Sequence, residues 1–513
     1  MATRICVAVR EATVEGAVCA ARRAAQWADI VEIRADFIRD LDVPRLLENK
    51  PCPILFTLRS REEGGGYAGA ERDRLKTLLE AARCGADWVD VEFSASWETV
   101  LNAVERNRVI LSCHNFDGTP ASLSSKVDEM ARAGAGVLKL ATRANRLSDN
   151  LTIASTLAHA LSRKIDLCAL AMGPRGVPSR VLAAVWGSWM TFASLPGGEP
   201  TADGQVPADE MVNLFRARNI SPNTSVYGVL GRPLAHSLSP RLHNSAFAAC
   251  RRDAVYIPLE AQGVDDFVLF CCAVEIEGAS VTIPFKERVR ACTSSLSAEA
   301  EKVGAVNTLL RRSGAWHGEN TDIAGFLKPL RQRTDPAGLR AVVLGAGGAA
   351  RAVAYGLSSQ GAEVCVVARD RAKAEALARQ FGAAHADWSD LKTVRWDLLV
   401  NATPLGTYPN VDESPVPGEW LTGEWVYDLV YNPRETRLLK EGSRRGCKAI
   451  YGSEMLLAQA IEQQLRWFGA PAPEDVMKAA LEEALAAQHV NPEGSRQASA
   501  CPGSTDAESG TRT

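Results

Sequence analysis

Lys139, His114 and three arginines in the first half of the chain are the residue types needed for imine chemistry on an anionic carbonyl compound. Lys139 sits in the apolar run V-L-K-L. A cation is costly to bury there, so a lowered pKa is expected, and a neutral amine can attack a ketone. The protonated imine that results acidifies the neighbouring C–H. His114, at the end of V-I-L-S-C-H, is a suitable base for that proton. Arg34, Arg59 and Arg180 carry forks that grip carboxylates in bidentate fashion. Gly64, Gly65 and Gly66 follow Glu63 and suggest a mobile loop able to close over a site. Each group also has a plainer reading. Lys139 could be a strand-end lysine whose head reaches water, and His114 a satisfied core histidine. The arginines could pair with Glu32, Glu63 or other acids.

The second half carries a different set. Ser237 and Ser239 flank Leu238 in H-S-L-S-P, so an extended backbone places both hydroxyls on one side. Pro240 favours an extended Ser239 and can open a helix. Paired hydroxyls suit a polyol or a carboxylate, although a helix cap plus a loop serine is commoner. Lys286, in S-V-T-I-P-F-K-E, and Asp322, in E-N-T-D-I-A-G-F, could hold a substrate hydroxyl and pass its proton during hydride transfer. A surface salt bridge is the plainer account of that pair. Asn307 and Asn320 would add amide contacts to hydroxyls.

Gly345, Ala346, Gly347, Gly348 and Ala349 follow the strand-like A-V-V-L and open a helical stretch. The pattern matches G-x-G-x-x-G/A, in which small residues let a pyrophosphate approach a helix N-terminus. The next strand ends at Arg369, where an NAD enzyme usually places an acid. Arg369 with Lys373 favours the 2′-phosphate of NADP(H), and Asp370 reads as a turn residue.

Elements must position these groups. Eight apolar runs lie in the first 218 residues: I-C-V-A-V, D-I-V-E-I-R-A, I-L-F-T-L-R, W-V-D-V-E-F, R-V-I-L-S-C-H, G-V-L-K-L-A-T, I-D-L-C-A-L-A-M and M-T-F-A-S. Each is followed by a helix or turn pattern, which predicts a (β/α)8 barrel over 1–218. Arg34, Arg59, His114 and Lys139 then fall at or near strand C-terminal ends, where barrels carry function. The polar stretch N-I-S-P-N-T-S (219–225) reads as a linker. A second mixed α/β region spans 226–333, and T-D-P-A-G reads as a loop. A Rossmann nucleotide-binding domain follows over 334–452. The fold class is therefore α/β throughout, a barrel followed by a two-lobed module. Residues 489–513, rich in Ser, Gly, Pro, Thr and Ala, read as a disordered tail.

Composition excludes other classes. The chain has 513 residues, too many for one ordinary domain, with 46% hydrophobic and 23% charged residues. A net charge of −3 favours neither nucleic acid nor an anionic membrane. The 13 cysteines are scattered without a C-x-x-C pair, so structural zinc is not expected and a reducing cytoplasm is. No signal, transit or membrane-spanning pattern is visible.

These motifs carry a family resemblance. Residues 1–218 resemble type I 3-dehydroquinate dehydratase through E-x-R-x-D (32–36), F-T-x-R-S-x-x-E-G-G (56–65), S-x-H-N (112–115), Lys139, G-x-x-G-x-x-S-R (173–180) and T-F (191–192). The resemblance implies a Schiff base at Lys139, a proton shuttle at His114 and an assisting Glu63. It also implies a pocket of Glu32, Arg34, Arg59, Arg180, Thr201 and Gln205 around the substrate. Asp203 stands where the family's S-A-P-G-Q lid pattern has Pro. Residues 226–485 resemble shikimate dehydrogenase through G-x-P-x-x-H-S-x-S-P, V-T-x-P-x-K, G-A-V-N-T, N-T-D-x-x-G-F, G-A-G-G-A-A-R, N-A-T-P-x-G, D-x-x-Y-N-P and E-M-L-x-x-Q. That implies Ser237, Ser239, Thr282, Asn307, Tyr431 and Gln459 around shikimate, with Lys286 and Asp322 catalytic. Thr403 and Gly452 would meet NADP(H). Ser280 stands where many members have Asn. The helices of 453–485 would return to complete the substrate domain. Together the halves resemble the fused plant-type enzyme. The implied reactions are dehydration of 3-dehydroquinate without a cofactor, then reduction of 3-dehydroshikimate to shikimate with NADPH. The expected partners are these small molecules, with no metal, and a monomer is the expected state. Two rivals remain: a dehydrogenase of mixed quinate and shikimate specificity, and a non-catalytic quinate-pathway sensor. A sensor should have lost Lys139, His114, Lys286 or Asp322, and all four are present.

Overall fold

The computed structural model describes residues 3–490. The eight apolar runs become β1 (Arg4–Val9), β2 (Ile30–Arg34), β3 (Ile54–Thr57), β4 (Trp88–Glu92), β5 (Val109–Asn115), β6 (Val137–Arg143), β7 (Leu167–Met172) and β8 (Met190–Ser194). A short β9 (Val206–Pro207) joins β8. All pairings in this sheet are parallel, in the order β7-β6-β5-β4-β3-β2-β1-β8-β9. Helices such as Val14–Ala24 and Glu71–Arg83 cover the outer face. Both faces of each strand are therefore buried, which is why the strands are rich in Val, Ile and Leu.

The curled sheet is not laddered at its β7/β8 edge. A backbone bond from Trp189 N–H to the Leu167 carbonyl (2.8 Å) joins that edge at its lower end. The short helix Val177–Val181 spans it with side chains. Ser179 Oγ accepts from the Ala171 N–H at 2.8 Å, and Thr191 Oγ1 donates to the Arg180 carbonyl at 2.9 Å. Groups that would bond strand to strand bond to this helix instead.

The segment read as a linker is tied down. Ile220 joins the apolar core, Thr224 Oγ1 donates to Asp253 at 2.6 Å, and Arg216 donates to the Arg252 and Ala254 carbonyls. Its polar residues bond to neighbouring backbone and side chains, so polarity here does not mean slack.

The second sheet contains β10 (Ser225–Gly231), β11 (Ala254–Glu260), β12 (Gly278–Val281), β13 (Ser295–Leu296), β14 (Thr308–Arg312) and β15 (Ala315–Glu319), ordered β11-β10-β12-β14-β15-β13. The third contains β16 (Arg340–Leu344), β17 (Glu363–Val367), β18 (Ala384–Ala386), β19 (Leu398–Asn401), β20 (Trp425–Asp428) and β21 (Lys448–Tyr451). It is wholly parallel, in the order β18-β17-β16-β19-β20-β21. Strand order reverses between β16 and β19, the switch point where doubly wound sheets bind ligands. Alternate residues such as Val343 and Val342 feed separate apolar cores on its two faces.

Among the described residues two compact units result: 3–234 with 243–320, and 235–242 with 321–490. The barrel and the second sheet share one continuous apolar core in the first unit. Helix Asp322–Arg331 belongs to the second, where Gly325 admits the backbone of Gln459 on helix Gly452–Phe468. The tail expected over 489–513 lies, from 491 on, outside the described residues. Among the described residues no helix is long and apolar enough to cross a membrane.

Candidate active sites

One pocket opens at the C-terminal end of the barrel strands. Glu32, Arg34, Arg59, Glu63, His114, Lys139, Arg180, Thr201 and Gln205 all line it, together with Phe116, Met172 and Phe192. The period-two alternation of β5 and β6 explains the convergence, because Ser112 and His114 on β5 share the inner face with Lys139 on β6.

Lys139 is buried, at 6% exposure, so its head does not reach bulk water. Nζ lies 3.3 Å from Glu32 Oε1, 3.1 Å from Asp90 Oδ2 and 4.3 Å from the centre of the Phe192 ring. Burial alone would lower the lysine pKa, but Glu32 and Asp90 outweigh it and hold the pKa above its ordinary value. The expected neutral amine is thereby corrected: the resting form is the ammonium. His114 has the opposite balance. Burial, with Arg59 and Lys139 nearby, lowers its pKa to about 4 despite the bond to Glu63. The ring is neutral at neutral pH. Nδ1 lies 2.9 Å from Glu63 Oε2, and that carboxylate also accepts the His114 backbone N–H at 3.2 Å. Ser94 Oγ donates to the other Glu63 oxygen at 2.7 Å. Burial raises the Glu63 pKa, but the bonds from His114 and Ser94 bring it below the ordinary carboxylate value.

The arginines divide into two kinds. Arg34 is matched by Asp36 through a two-point pair (3.0 and 2.8 Å). Arg59 is held by Asp90 at 2.8 Å, Glu92 at 3.3 Å and Ser112 Oγ at 2.8 Å. Burial disfavours the Arg59 charge, but Asp90 and Glu92 more than restore it. Arg180 differs. At 1% exposure it makes no ion pair among the described residues. It has only long bonds to the Phe192 and Asp203 carbonyls (3.4 and 3.5 Å), and its Nε is unpartnered. Burial lowers its pKa to about 10. A buried guanidinium without a carboxylate costs on the order of several kcal/mol, and an anionic ligand would relieve that cost.

The loops around the pocket are pinned. Gly66 N–H donates to Asp36 at 2.9 Å, and Tyr67 N–H to the Arg59 carbonyl at 3.1 Å. A Cβ on Gly65 would lie 2.2 Å from the Arg59 oxygen, so close approach accounts for that glycine where a mobile loop was expected. Gln205 bonds to Thr201, and Asp203 pairs with Arg143 at 3.5 Å, turning its charge aside from the pocket lining.

Residues read from the second half are carried by both compact units. In the first, Thr282 and Lys286 follow β12, each half-buried, and Asn307 precedes β14 fully buried. The Lys286 carbonyl accepts from Val306, the Asn307 carbonyl accepts from Val281, and the Asn320 side chain donates to Ala305. Ser280 accepts from the Tyr256 hydroxyl at 2.6 Å. In the second, Ser237 is half-buried ahead of helix Ser239–Ala249, in which Ser239 is the first residue. Tyr431, half-buried, bonds to the backbone at Leu238. Asp322 opens its helix, buried at 3% exposure, and Gln459 is buried on helix Gly452–Phe468.

The nucleotide turn has the expected form. Gly345 ends β16 with φ +112°, and Gly347 caps helix Gly348–Ser359, of which Ala349 is the second residue. An added Cβ at Gly345 would lie 3.1 Å from the Ala402 carbonyl and 3.4 Å from Thr403, across the switch point. At Gly452 it would meet the Leu429 and Val430 carbonyls at 2.5 Å. Asp370 caps helix Arg371–Phe381 by accepting the Lys373 N–H, which agrees with its reading as a turn residue. Arg369 and Lys373 are exposed beside it. The tight turn, the helix N-terminus and these cations fit a dinucleotide with a 2′-phosphate.

Sequence reasoning missed Asp90, Glu92 and Ser112, which anchor Arg59 and Lys139. Their signal was present in W-V-D-V-E. Acids two apart on an apolar barrel strand face one side and, when buried, demand cations. It also missed Asp36 as the partner that occupies Arg34.

Comparison with known proteins places this geometry. A family model of type I 3-dehydroquinase matches residues 5–222, one of the shikimate dehydrogenase substrate binding domain 229–309, and one of shikimate/quinate 5-dehydrogenase 330–406. The chain is 35% identical over 480 residues to the chloroplastic bifunctional 3-dehydroquinate dehydratase/shikimate dehydrogenase of Arabidopsis thaliana, covering 88% of this chain and 79% of that one. It is 39% identical to the shikimate dehydrogenase (NADP(+)) of Moorella thermoacetica, covering 54% of this chain and 99% of the relative. A solved structure of dehydroquinate dehydratase and shikimate dehydrogenase from S. pombe is 26% identical, covers 94% of this chain and 98% of that one, and superposes with a TM-score of 0.42.

Proposed function

The chain belongs to the family of bifunctional 3-dehydroquinate dehydratase/shikimate dehydrogenases, and on that premise we propose which of its residues perform each reaction. It dehydrates 3-dehydroquinate to 3-dehydroshikimate and reduces that ketone to shikimate with NADPH, two steps of the shikimate pathway.

In the dehydratase, Arg180 takes the substrate carboxylate. Its burial without an anionic partner is the observation that carries this reading. Lys139 forms the Schiff base. Because its resting form is the ammonium, a proton must first leave, and Glu32 and Asp90 are the acceptors within 3.3 Å. The amine then adds to the ketone and water departs, leaving a protonated imine. His114 removes the proton from the adjacent carbon and delivers it to the departing hydroxyl, which leaves as water. Glu63 holds the His114 Nδ1 proton, so Nε2 is the basic nitrogen. Hydrolysis of the imine releases product and restores Lys139. Glu32, Arg34, Arg59, Thr201 and Gln205 bind the remaining polar groups.

In the dehydrogenase, NADPH supplies a hydride. Lys286 and Asp322 hold and protonate the substrate oxygen. Ser237, Ser239, Thr282, Asn307, Tyr431 and Gln459 bind substrate, and Gly345 to Ala349, Thr403 and Gly452 form the nucleotide's bed. Arg369 and Lys373 select the 2′-phosphate. The functional division is the barrel over 1–218, a substrate domain over 226–333 completed by 453–485, and a Rossmann domain over 334–452. The cytoplasm is the compartment assigned, supported by 12 described cysteines that are all free thiols.

NADPH consumption by the purified chain given only 3-dehydroquinate tests the whole scheme. Loss of NADPH with shikimate as product is expected. Silence with 3-dehydroquinate but consumption with 3-dehydroshikimate would remove the barrel assignment, and silence with both would favour a sensor.

A further inference from the structure

Arg180 is held in place from outside the barrel. Its helix, Val177–Val181, is only five residues long and cannot fix a guanidinium by itself. Its neighbour Ser179 accepts the Ala171 N–H, and its backbone N–H donates to Asn150 Oδ1 at 3.1 Å. Asn150 is fully buried. Its Nδ2 donates to the Leu147 and Arg175 carbonyls, both at 2.7 Å, so it joins the approach to helix Asp149–Ser162 to the turn that precedes Arg180.

That approach is in turn gripped by Asp266, which lies on helix Val264–Val274 of the module after the barrel. Asp266 is 2% exposed. Its two oxygens accept the backbone N–H groups of Leu147 and Ser148, each at 2.9 Å, and of Gln262 at 3.0 Å, with Arg146 Nε at 3.6 Å. Burial raises its pKa, but these donors bring it below the ordinary carboxylate value. Helix Asp149–Ser162 has no side-chain cap at Ser148, and the Asp266 carboxylate fixes the two residues that lead into it by accepting their backbone N–H groups. A continuous apolar core lies beneath the barrel and the second sheet.

We propose that Asp266 is a positioning residue for the dehydratase reaction, acting through Ser148, Asn150 and Ser179 to aim Arg180 into the barrel pocket. The dehydrogenase module thereby completes the dehydratase site as well as receiving its product. The proposal rests on the reading that Arg180 binds the substrate carboxylate.

The test uses the full chain carrying Asp266→Ala, Asp266→Asn, Arg180→Ala or the pair Asp266→Ala/Arg180→Ala. Dehydration of 3-dehydroquinate and NADPH oxidation with 3-dehydroshikimate are followed separately. Misplacing a binding group by a fraction of an ångström raises KM, so Asp266→Ala should raise the dehydratase KM by about tenfold with kcat within about twofold. Asp266→Asn, which keeps one acceptor oxygen, should fall between. Both should reduce 3-dehydroshikimate within about twofold of the parent, and the double variant should match Arg180→Ala alone in KM. A normal dehydratase KM in either folded Asp266 variant overturns the proposal. So does an equal decline of kcat and KM effects across both reactions with a lowered melting temperature, which marks a merely structural role. Should Asp266→Ala fail to fold, Asp266→Asn decides by the same criteria. A raised KM in Arg180→Ala with a normal one in Asp266→Ala removes only the relay. A normal KM in Arg180→Ala removes the carboxylate reading, and the relay with it.

Discussion

At the scale of single residues, the dehydratase pocket is a balance of buried charges. Lys139 and Arg59 share Asp90, so removing that carboxylate leaves cations uncompensated. Asp90→Asn should destabilise the chain by about 3 kcal/mol, read from urea unfolding followed by barrel tryptophan fluorescence. An unchanged midpoint would mean that water or another anion replaces it. On the proposed mechanism the neutral ring of His114 is the base and sets the acid limb of dehydration, so activity should persist above its pKa and be lost as pH falls through it. With that pKa lowered to about 4, kcat/KM should stay level from neutral pH downward and break near 4. A break at the ordinary histidine value would contradict the buried, cation-flanked setting of the ring.

At the scale of elements, strands deliver groups and glycines admit neighbours. The inner face of β5 and β6 brings Ser112, His114 and Lys139 together, and a shift of one residue in either strand would disperse them. The turn after β16 depends on Gly345 at φ +112°, a conformation that strains any residue with a side chain by about 1–3 kcal/mol. The added Cβ would also press on the Ala402 carbonyl. Gly345→Val should therefore raise the KM for NADPH by about tenfold or more and leave dehydration of 3-dehydroquinate within about twofold. Equal loss of both activities would show that the turn supports folding and not only the nucleotide. Asp266 adds a pH-linked element. Its folded pKa is depressed, so the stability it contributes is present above the unfolded carboxylate pKa and is lost as pH falls through the folded value.

At the scale of the whole molecule, the proposed assignment gives the two reactions separate catalytic lysines. Lys139→Ala should abolish dehydration while sparing shikimate oxidation, and borohydride with 3-dehydroquinate should add substrate mass to the parent but not to this variant. Lys286→Ala should do the converse. An equimolar mixture of the two should convert 3-dehydroquinate to shikimate, because the intermediate is a small molecule that can diffuse from one chain to another. Failure of the mixture, with each single activity intact, would mean that the intermediate does not pass between chains.

The sequence alone determined the eight barrel strands, the nucleotide turn and most of the polar residues that line the barrel pocket, because local periodicity and motif spacing follow from backbone geometry. Lys139, His114, Glu63 and Arg180 were legible in this way, from residue type at a strand end or within a short motif. Only the tertiary structure decided their charge states. The lysine pKa rises because Glu32 and Asp90, distant in sequence, stand beside it, whereas burial alone would have lowered it. Asp90 and Glu92 had a legible alternation, but which cations they meet depends on the strand order β3-β4-β5-β6. Asp266 had no local signal beyond an acid in the first turn of a helix. Its partners lie 118 and 119 residues away, and only packing of one module against the other brings them within hydrogen-bond reach.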